Sequence, residues 1–173
     1  TRMYTDTMFA ASKSLRGNKC AQVFTNGVGY DLFYPLKKES MASEALNEVI
    51  RTIGVPKELV SDGARAEIYG RFGAVAKEYR IKQRVTEPYS GWQNRAEAAI
   101  REIKRGIRRA MQRAKSPNRL WDYCGEWVAA IRRLTAHDIP ALHDRVPCEA
   151  VESNTPDISE YAQFDWYQYV WYH

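Results

Sequence analysis

Three carboxylates stand at positions where acids are uncommon or where ligands gather. Asp6 sits in "TDT", in the middle of a short aromatic and β-branched run, although strands are depleted in Asp. Asp62 sits in "VSDG", at the carboxyl end of a later apolar run, which is the edge of an α/β sheet where ligands tend to bind. Glu97 opens the long helical pattern "NRAEAAIREIKRGIRRAMQ". Each has an ordinary reading: a hydrogen-bonded strand Asp, a turn Asp, and a first-turn Glu that complements the helix dipole. Brought together, the three would repel one another unless cations shared the site. Two Mg2+ ions held by carboxylate oxygens about 3.5–4 Å apart would supply that charge and clamp the attacking and leaving oxygens of a phosphodiester. Asp31 is the fallback acid.

Such a site needs a sheet to hold the aspartates and a helix to deliver the glutamate. Residues 2–11, 19–26 and 30–36 are short runs separated by "RGN" and "NGVG", and they predict an antiparallel three-strand meander. A helix is expected over 40–53, with Ser40 as N-cap candidate, Ala42, Leu46, Val49, Ile50 and Ile53 at helical spacing, and Gly54 and Pro56 as the stop. A strand over 57–63, a helix over 70–80 and a strand over 81–88 follow. The long helix runs from about residue 94 to 115, and another covers 119–136 with Leu120, Cys124, Trp127, Val128, Ile131 and Leu134 as its apolar face. The tail "FDWYQYVWYH" is too aromatic for a free end and is a strand candidate. This order predicts an α/β fold: a ribonuclease-H-like mixed sheet, the meander plus parallel strands, flanked by helices.

Composition adds a partner. The 173 residues carry a net charge of only +5, but from Arg95 to Arg119 nine Lys and Arg face two Glu. A solvated face is the plain reading of such a run; clustered cations on one element are also the footprint of nucleic-acid binding. On the long helix Ala96, Ile100, Ile103, Ile107 and Ala110 form a core stripe, while Glu97, Arg101, Lys104 and Arg108 share the adjacent face. The bland alternative for Arg101 and Lys104 is a solvated face or pairing with Glu97 one turn away. No apolar run approaches the ~18 residues of a membrane span. The three cysteines form no CxxC pair, which points to a reduced, intracellular protein without structural zinc. Because it opens on Thr1, the chain reads as part of something longer.

The "TDT", "VSDGARAE" and "YSGWQNRAEAAIREIK" segments resemble the integrase catalytic core of long-terminal-repeat retrotransposons, of the copia type. The family signature is two aspartates and a glutamate, the last two typically with 35 residues between; here 97 − 62 = 35, which leaves 34. "SDGAR" and "SGWQNR" depart from the family's usual loops. The resemblance implies a catalytic core over 1–150 and the start of a post-core segment over 151–173. It implies metal-dependent strand transfer by Asp6, Asp62 and Glu97 with two Mg2+, for which Mn2+ can substitute, and DNA contacts by Gln93, Arg101, Lys104 and Arg108. The implied partners are retroelement ends and target DNA, the implied state is a homo-oligomer, and the implied location is the nucleus or a virus-like particle. Three alternatives stay open: a ribonuclease-H-type nuclease, a decayed DNA-binding domain without activity, and an interaction module that uses the aromatic tail.

Overall fold

The computed structural model describes residues 1–62, 70–86 and 95–171. Five strands form one sheet: β1 (Arg2–Phe9), β2 (Cys20–Thr25), β3 (Asp31–Leu36), β4 (Glu58–Ser61) and β5 (Lys82–Val85), in the spatial order β3-β2-β1-β4-β5. The β1–β2 and β2–β3 pairs are antiparallel, and β1–β4 and β4–β5 are parallel. This is the ribonuclease-H-like mixed sheet that the element order predicts. Parallel neighbours need a crossover. Helix α2 (Arg71–Glu78) lies within the link between β4 and β5.

Alternation along the strands divides the core in two. Met3, Cys20, Phe24, Leu36 and Leu59 face α1 (Ala42–Ile53) and α2, and bury against Leu46, Val49, Phe72 and Ala76. Met8, Ala21, Val23 and Phe33 face the other way, toward α3 (Arg95–Ala114) and α4 (Trp121–Leu134). The period of two along a strand requires this split, since successive side chains leave opposite faces.

Helix α1 buries Ala42, Ala45, Leu46 and Val49 along one stripe. It ends at Gly54, whose φ of 100° and N–H bond to the Ile50 carbonyl close the last turn. Ser40 does not cap it. Ser40 lies in a 3-10 turn over Glu39–Met41, and Met41 takes the N-cap position without a side-chain bond. On α3 the buried residues are Ala96, Ala99, Ile100, Ile103, Ile107 and Met111, the expected stripe broadened by Ala99 and Met111; Ala110 is partly buried.

The α4 face is rotated from expectation. Trp121, Asp122, Cys124, Gly125, Val128, Ala129 and Ala130 are buried, whereas Leu120, Trp127, Ile131 and Leu134 are only partly so. Two glycines allow the close approach: a Cβ on Gly125 would lie 2.4 Å from the Phe33 ring, and one on Gly106 would lie 2.6 Å from Val128.

The long β1–β2 connection is tied down by Asp122, which is fully buried. Arg16 Nε and Asn18 Nδ2 donate to its Oδ2 at 2.8 and 2.7 Å, and Arg16 also pairs with Glu126. Burial works against the charged Asp122, but hydrogen bonds from Arg16, Ser14 and Asn18 outweigh it and hold the carboxyl below its ordinary range.

Beyond α4, α5 (Pro147–Glu152) and α6 (Ser159–Gln163) are short helices. The expected tail strand is absent among the described residues: Trp166 instead packs on Trp127 with ring centroids 6.1 Å apart, and its Nε1 donates to Ser116 Oγ at 3.1 Å. The three cysteines are free thiols and buried. Among the described residues no helix is long and apolar enough to cross a membrane.

Candidate active site

Asp6 belongs to the even-numbered face of β1, with Met8, beneath α3. Thr5 and Thr7 leave the opposite face, where both bond to the buried Gln22 side chain. The Asp6 carboxylate is half-buried, and its Oδ1 accepts the Thr7 N–H at 2.7 Å.

The parallel register brings Asp62 to the same place. Arg2, Met3 and Tyr4 pair with Glu58, Leu59 and Val60, and two residues further along each chain stand Asp6 and Asp62. Paired residues of parallel strands share a face, as the Arg2–Glu58 ion pair at the start of the ladder illustrates. Asp62 lies one residue past the end of β4 and is exposed.

Glu97 is exposed in the first turn of α3. That turn is held by buried Ala96 and Ile100, and by Arg95, whose guanidinium lies 5.8 Å over the Tyr4 ring and reaches the Gly27 carbonyl. The three acids meet electrostatically at Asp6. Its carboxyl is pushed up to about 6, first by burial, then by the negative field of Asp62, with a smaller push from Glu97; the Thr7 N–H and the Lys104 ammonium pull the other way.

The cations of α3 are exposed at Arg101, Lys104 and Arg108, and none of them pairs with a described acid. The ion pairs that α3 does make are Arg105–Glu102 at 3.0 Å and Arg113–Asp165 at 3.1 Å. Of the two plain readings, pairing of Glu97 with Arg101 or Lys104 is not made, whereas the exposure of both cations is what a solvated face would show. Gln93 lies outside the described residues. Asp31 is taken up elsewhere: it is 1% exposed, and its Oδ2 accepts from Arg132 Nε at 2.7 Å.

The three acids offer only carboxylate oxygens, the donor type that suits a hard dication. They are not a closed cage. Among the described residues, no group of three or more His, Cys, Asp or Glu side chains is set to hold a metal ion.

Comparison with known folds agrees with the sheet. The fold is that of retroviral integrase catalytic cores. The HTLV-2 integrase catalytic core domain, in complex with magnesium in a trimeric form, superposes with a TM-score of 0.64 at 15% identity, over 87% of this chain and 95% of that one. The catalytic core domain of BIV integrase gives 0.66 at 16% identity, over 94% and 97%. The simian T-cell lymphotropic virus intasome in complex with PP2A regulatory subunit B56 gamma gives 0.71 at 16% identity, over 90% of this chain and 57% of that one. No protein-family model and no curated protein matches the sequence.

Proposed function

We propose that this chain is the catalytic core of an integrase of a copia-type retrotransposon, a polynucleotidyl transferase that joins the 3′ ends of retroelement DNA to target DNA. The observation that carries the reading is that the parallel β1–β4 register, continued two residues past Tyr4 and Val60, brings Asp6 and Asp62 to one face, under a helix that presents Glu97 and three cations without an ion-pair partner among the described residues. The carboxyl edge of parallel strands is where α/β sheets bind ligands.

In this reading Asp6, Asp62 and Glu97 hold two Mg2+, with Mn2+ able to substitute. When bound there, such ions would polarise a water or a DNA 3′-hydroxyl for in-line attack and would stabilise the charge that develops. The protein's own groups then have separate tasks. Asp6, whose carboxyl is raised to about 6 first by burial and then by Asp62 and Glu97, would take a ligand role in its ionised form, so its part is favoured above that pH. Lys104 and, along the same face, Arg101 and Arg108 grip backbone phosphates and so fix the register of the DNA without reading its sequence. Gln93, just ahead of α3, serves the DNA terminus. Joining two ends at once calls for a homo-oligomer, and the expected location is the nucleus or a virus-like particle. The core spans 1–150, and 151–173 begins a post-core segment.

The test is a strand-transfer assay with an oligonucleotide matching the element's terminal repeat, in Mg2+ and in Mn2+, for the wild type and for Asp62→Asn and Glu97→Gln. Joined product from the wild type alone supports the reading. Cleavage of the RNA strand of a hybrid without joining moves it to a ribonuclease-H-type nuclease. DNA binding with no metal-dependent chemistry moves it to a decayed DNA-binding domain.

A further inference from the structure

Beyond the C-terminal end of α3, cations from three separate parts of the chain converge. Lys13 in the β1–β2 connection, Lys37 just past β3 and Arg119 just ahead of α4 line a hollow of about 510 Å3, and no Asp or Glu lines it. All three are exposed, and none forms an ion pair among the described residues. Arg16 borders the hollow too, but Asp122 and Glu126 already engage its guanidinium. Like charges gathered without a counter-ion repel one another, so the place suits an anion.

The backbone that carries these cations is fixed in advance. The Leu15 N–H donates to the Arg119 carbonyl at 2.7 Å, Trp121 Nε1 to the Ser12 carbonyl at 3.0 Å, and the Lys19 N–H to the Leu36 carbonyl at 2.9 Å. These bonds tie the three segments to one another beside each cation. Within the connection, Ser14 and Asn18 are buried and bonded to each other. Gly17 turns the chain at a φ of 87°, and a Cβ there would lie 3.4 Å from Lys13 Cε, so the Lys13 stem runs across it. A platform ordered before binding loses less freedom when a ligand arrives.

The hollow continues the basic side of α3. Lys104, Arg108 and Lys115 line a neighbouring groove that reaches Ser12 and Asn118, the residues next to Lys13 and Arg119. Glu97 and Lys104 are 104 − 97 = 7 residues apart, within about 20° of one line along the helix, so this basic side starts two turns from the carboxylate. From Glu97 to the helix end is about 26 Å, the length of about eight base pairs of duplex.

The occupant must be anionic and long. No aromatic ring lines the hollow, so an unpaired strand would find no stacking surface there. A duplex needs none, because it presents phosphates outward. We propose that Lys13, Lys37 and Arg119 form a second phosphate-gripping site, which holds the backbone of duplex DNA about eight base pairs or more from the carboxylates. The inference rests on the DNA reading of α3.

The test is a salt series of fluorescence anisotropy in EDTA with a duplex of about 20 base pairs, long enough to reach both places. Lys13→Gln, Lys37→Gln and Arg119→Gln together should make the slope of log affinity against log salt shallower by about 2–3, at ~0.9 per lost phosphate contact. The charge-keeping set Lys13→Arg, Lys37→Arg and Arg119→Lys should retain the slope. So should Lys77→Gln with Lys82→Gln and Arg84→Gln, which removes the same charge from exposed positions on α2 and β5. Every substituted side chain is exposed, and circular dichroism should show one fold throughout. An unchanged slope in the first set, a lost slope in the charge-keeping set, or an equal loss in the α2 and β5 set overturns the second site and leaves the DNA reading standing. A wild type that does not bind the duplex takes down both.

Discussion

Asp6→Asn should make the metal-free protein more stable. The carboxyl is raised from 3.8 to about 6 by burial and by its acidic neighbours, so its ionisation opposes folding. At ~1.4 kcal/mol per pH unit that rise corresponds to roughly 3 kcal/mol. The side chain is only half-buried, and solvent screening reduces the figure to about 1–1.5 kcal/mol. For a chain of this size that is about 3–5 °C in Tm. Asparagine keeps the carbonyl oxygen that accepts the Thr7 N–H, so the substitution removes charge and little else. The sign with pH follows from the direction of the shift. Below 3.8 the carboxyl is protonated in both the folded and the unfolded chain, and there is no penalty. Between 3.8 and about 6 the unfolded chain has released the proton and the folded one still holds it, so the penalty grows as pH rises and is full above 6.

Thermal melts in EDTA at about pH 3.5, 5 and 7.5 should therefore show the Asn variant level with the wild type, then ahead, then furthest ahead. Adding Mg2+ or Mn2+ at about pH 7.5 to tenfold over its dissociation constant should raise the wild type by about 1.4 kcal/mol and leave the variant almost unmoved. A variant no more stable than the wild type at pH 7.5, or ahead by the same margin at every pH, would refute the convergence of the three acids on Asp6.

Arg132→Met strands the Asp31 carboxylate, which is 1% exposed, and should cost about 3–5 kcal/mol, read as a lower urea midpoint. Gly125→Ala drives a methyl into the Phe33 ring at 2.4 Å and should cost about 1–3 kcal/mol in the same assay, partly recovered when Phe33→Leu is added. Arg101→Glu with Lys104→Glu should leave the fold intact and make the slope of log DNA affinity against log salt shallower by about 2, because two phosphate contacts are lost; an unchanged slope would mean that these residues only face solvent.

What the sequence made legible were the features with strong periodicity. The meander, the α1 stripe stopped by Gly54, and the α3 stripe through Ile100, Ile103 and Ile107 all come through with ends shifted by a residue or two. The α4 face did not, because it packs on two sides at once. Gly125 meets the sheet at Phe33 and Val128 meets α3 at Gly106, so small residues mark the contact and large ones such as Trp127 sit at its margin. Nor does an isolated "WD" tell a reader that Asp122 anchors a loop a hundred residues away; that pairing exists only once Arg16 and Asn18 are folded against it. The tail was misread for a related reason. Its alternating aromatics suit a strand, but Trp166 buries more by lying on Trp127 and bonding Ser116 than by adding to a sheet edge. Of the candidate site, the acids were legible as residue types out of place.

The site's geometry comes down to the parity of one strand. Slipping β4 by a single residue against β1 would send Asp62 to the α1 face, away from Asp6 and Glu97. The Arg2–Glu58 pair at the start of the ladder is a poor guard against this, because the Arg2 side chain is 52% exposed and such pairs hold their geometry weakly. The guard is apolar. Met3 and Leu59 are neighbours in the β1–β4 pairing, 3% and 2% exposed, and both belong to the core beneath α1 and α2. A one-residue slip would turn Leu59 out of that core and put the Glu58 carboxylate into it, a loss of several kcal/mol in burial and desolvation together. The same two leucine- and methionine-sized side chains that stabilise one face of the sheet thus determine that the two aspartates emerge on the other.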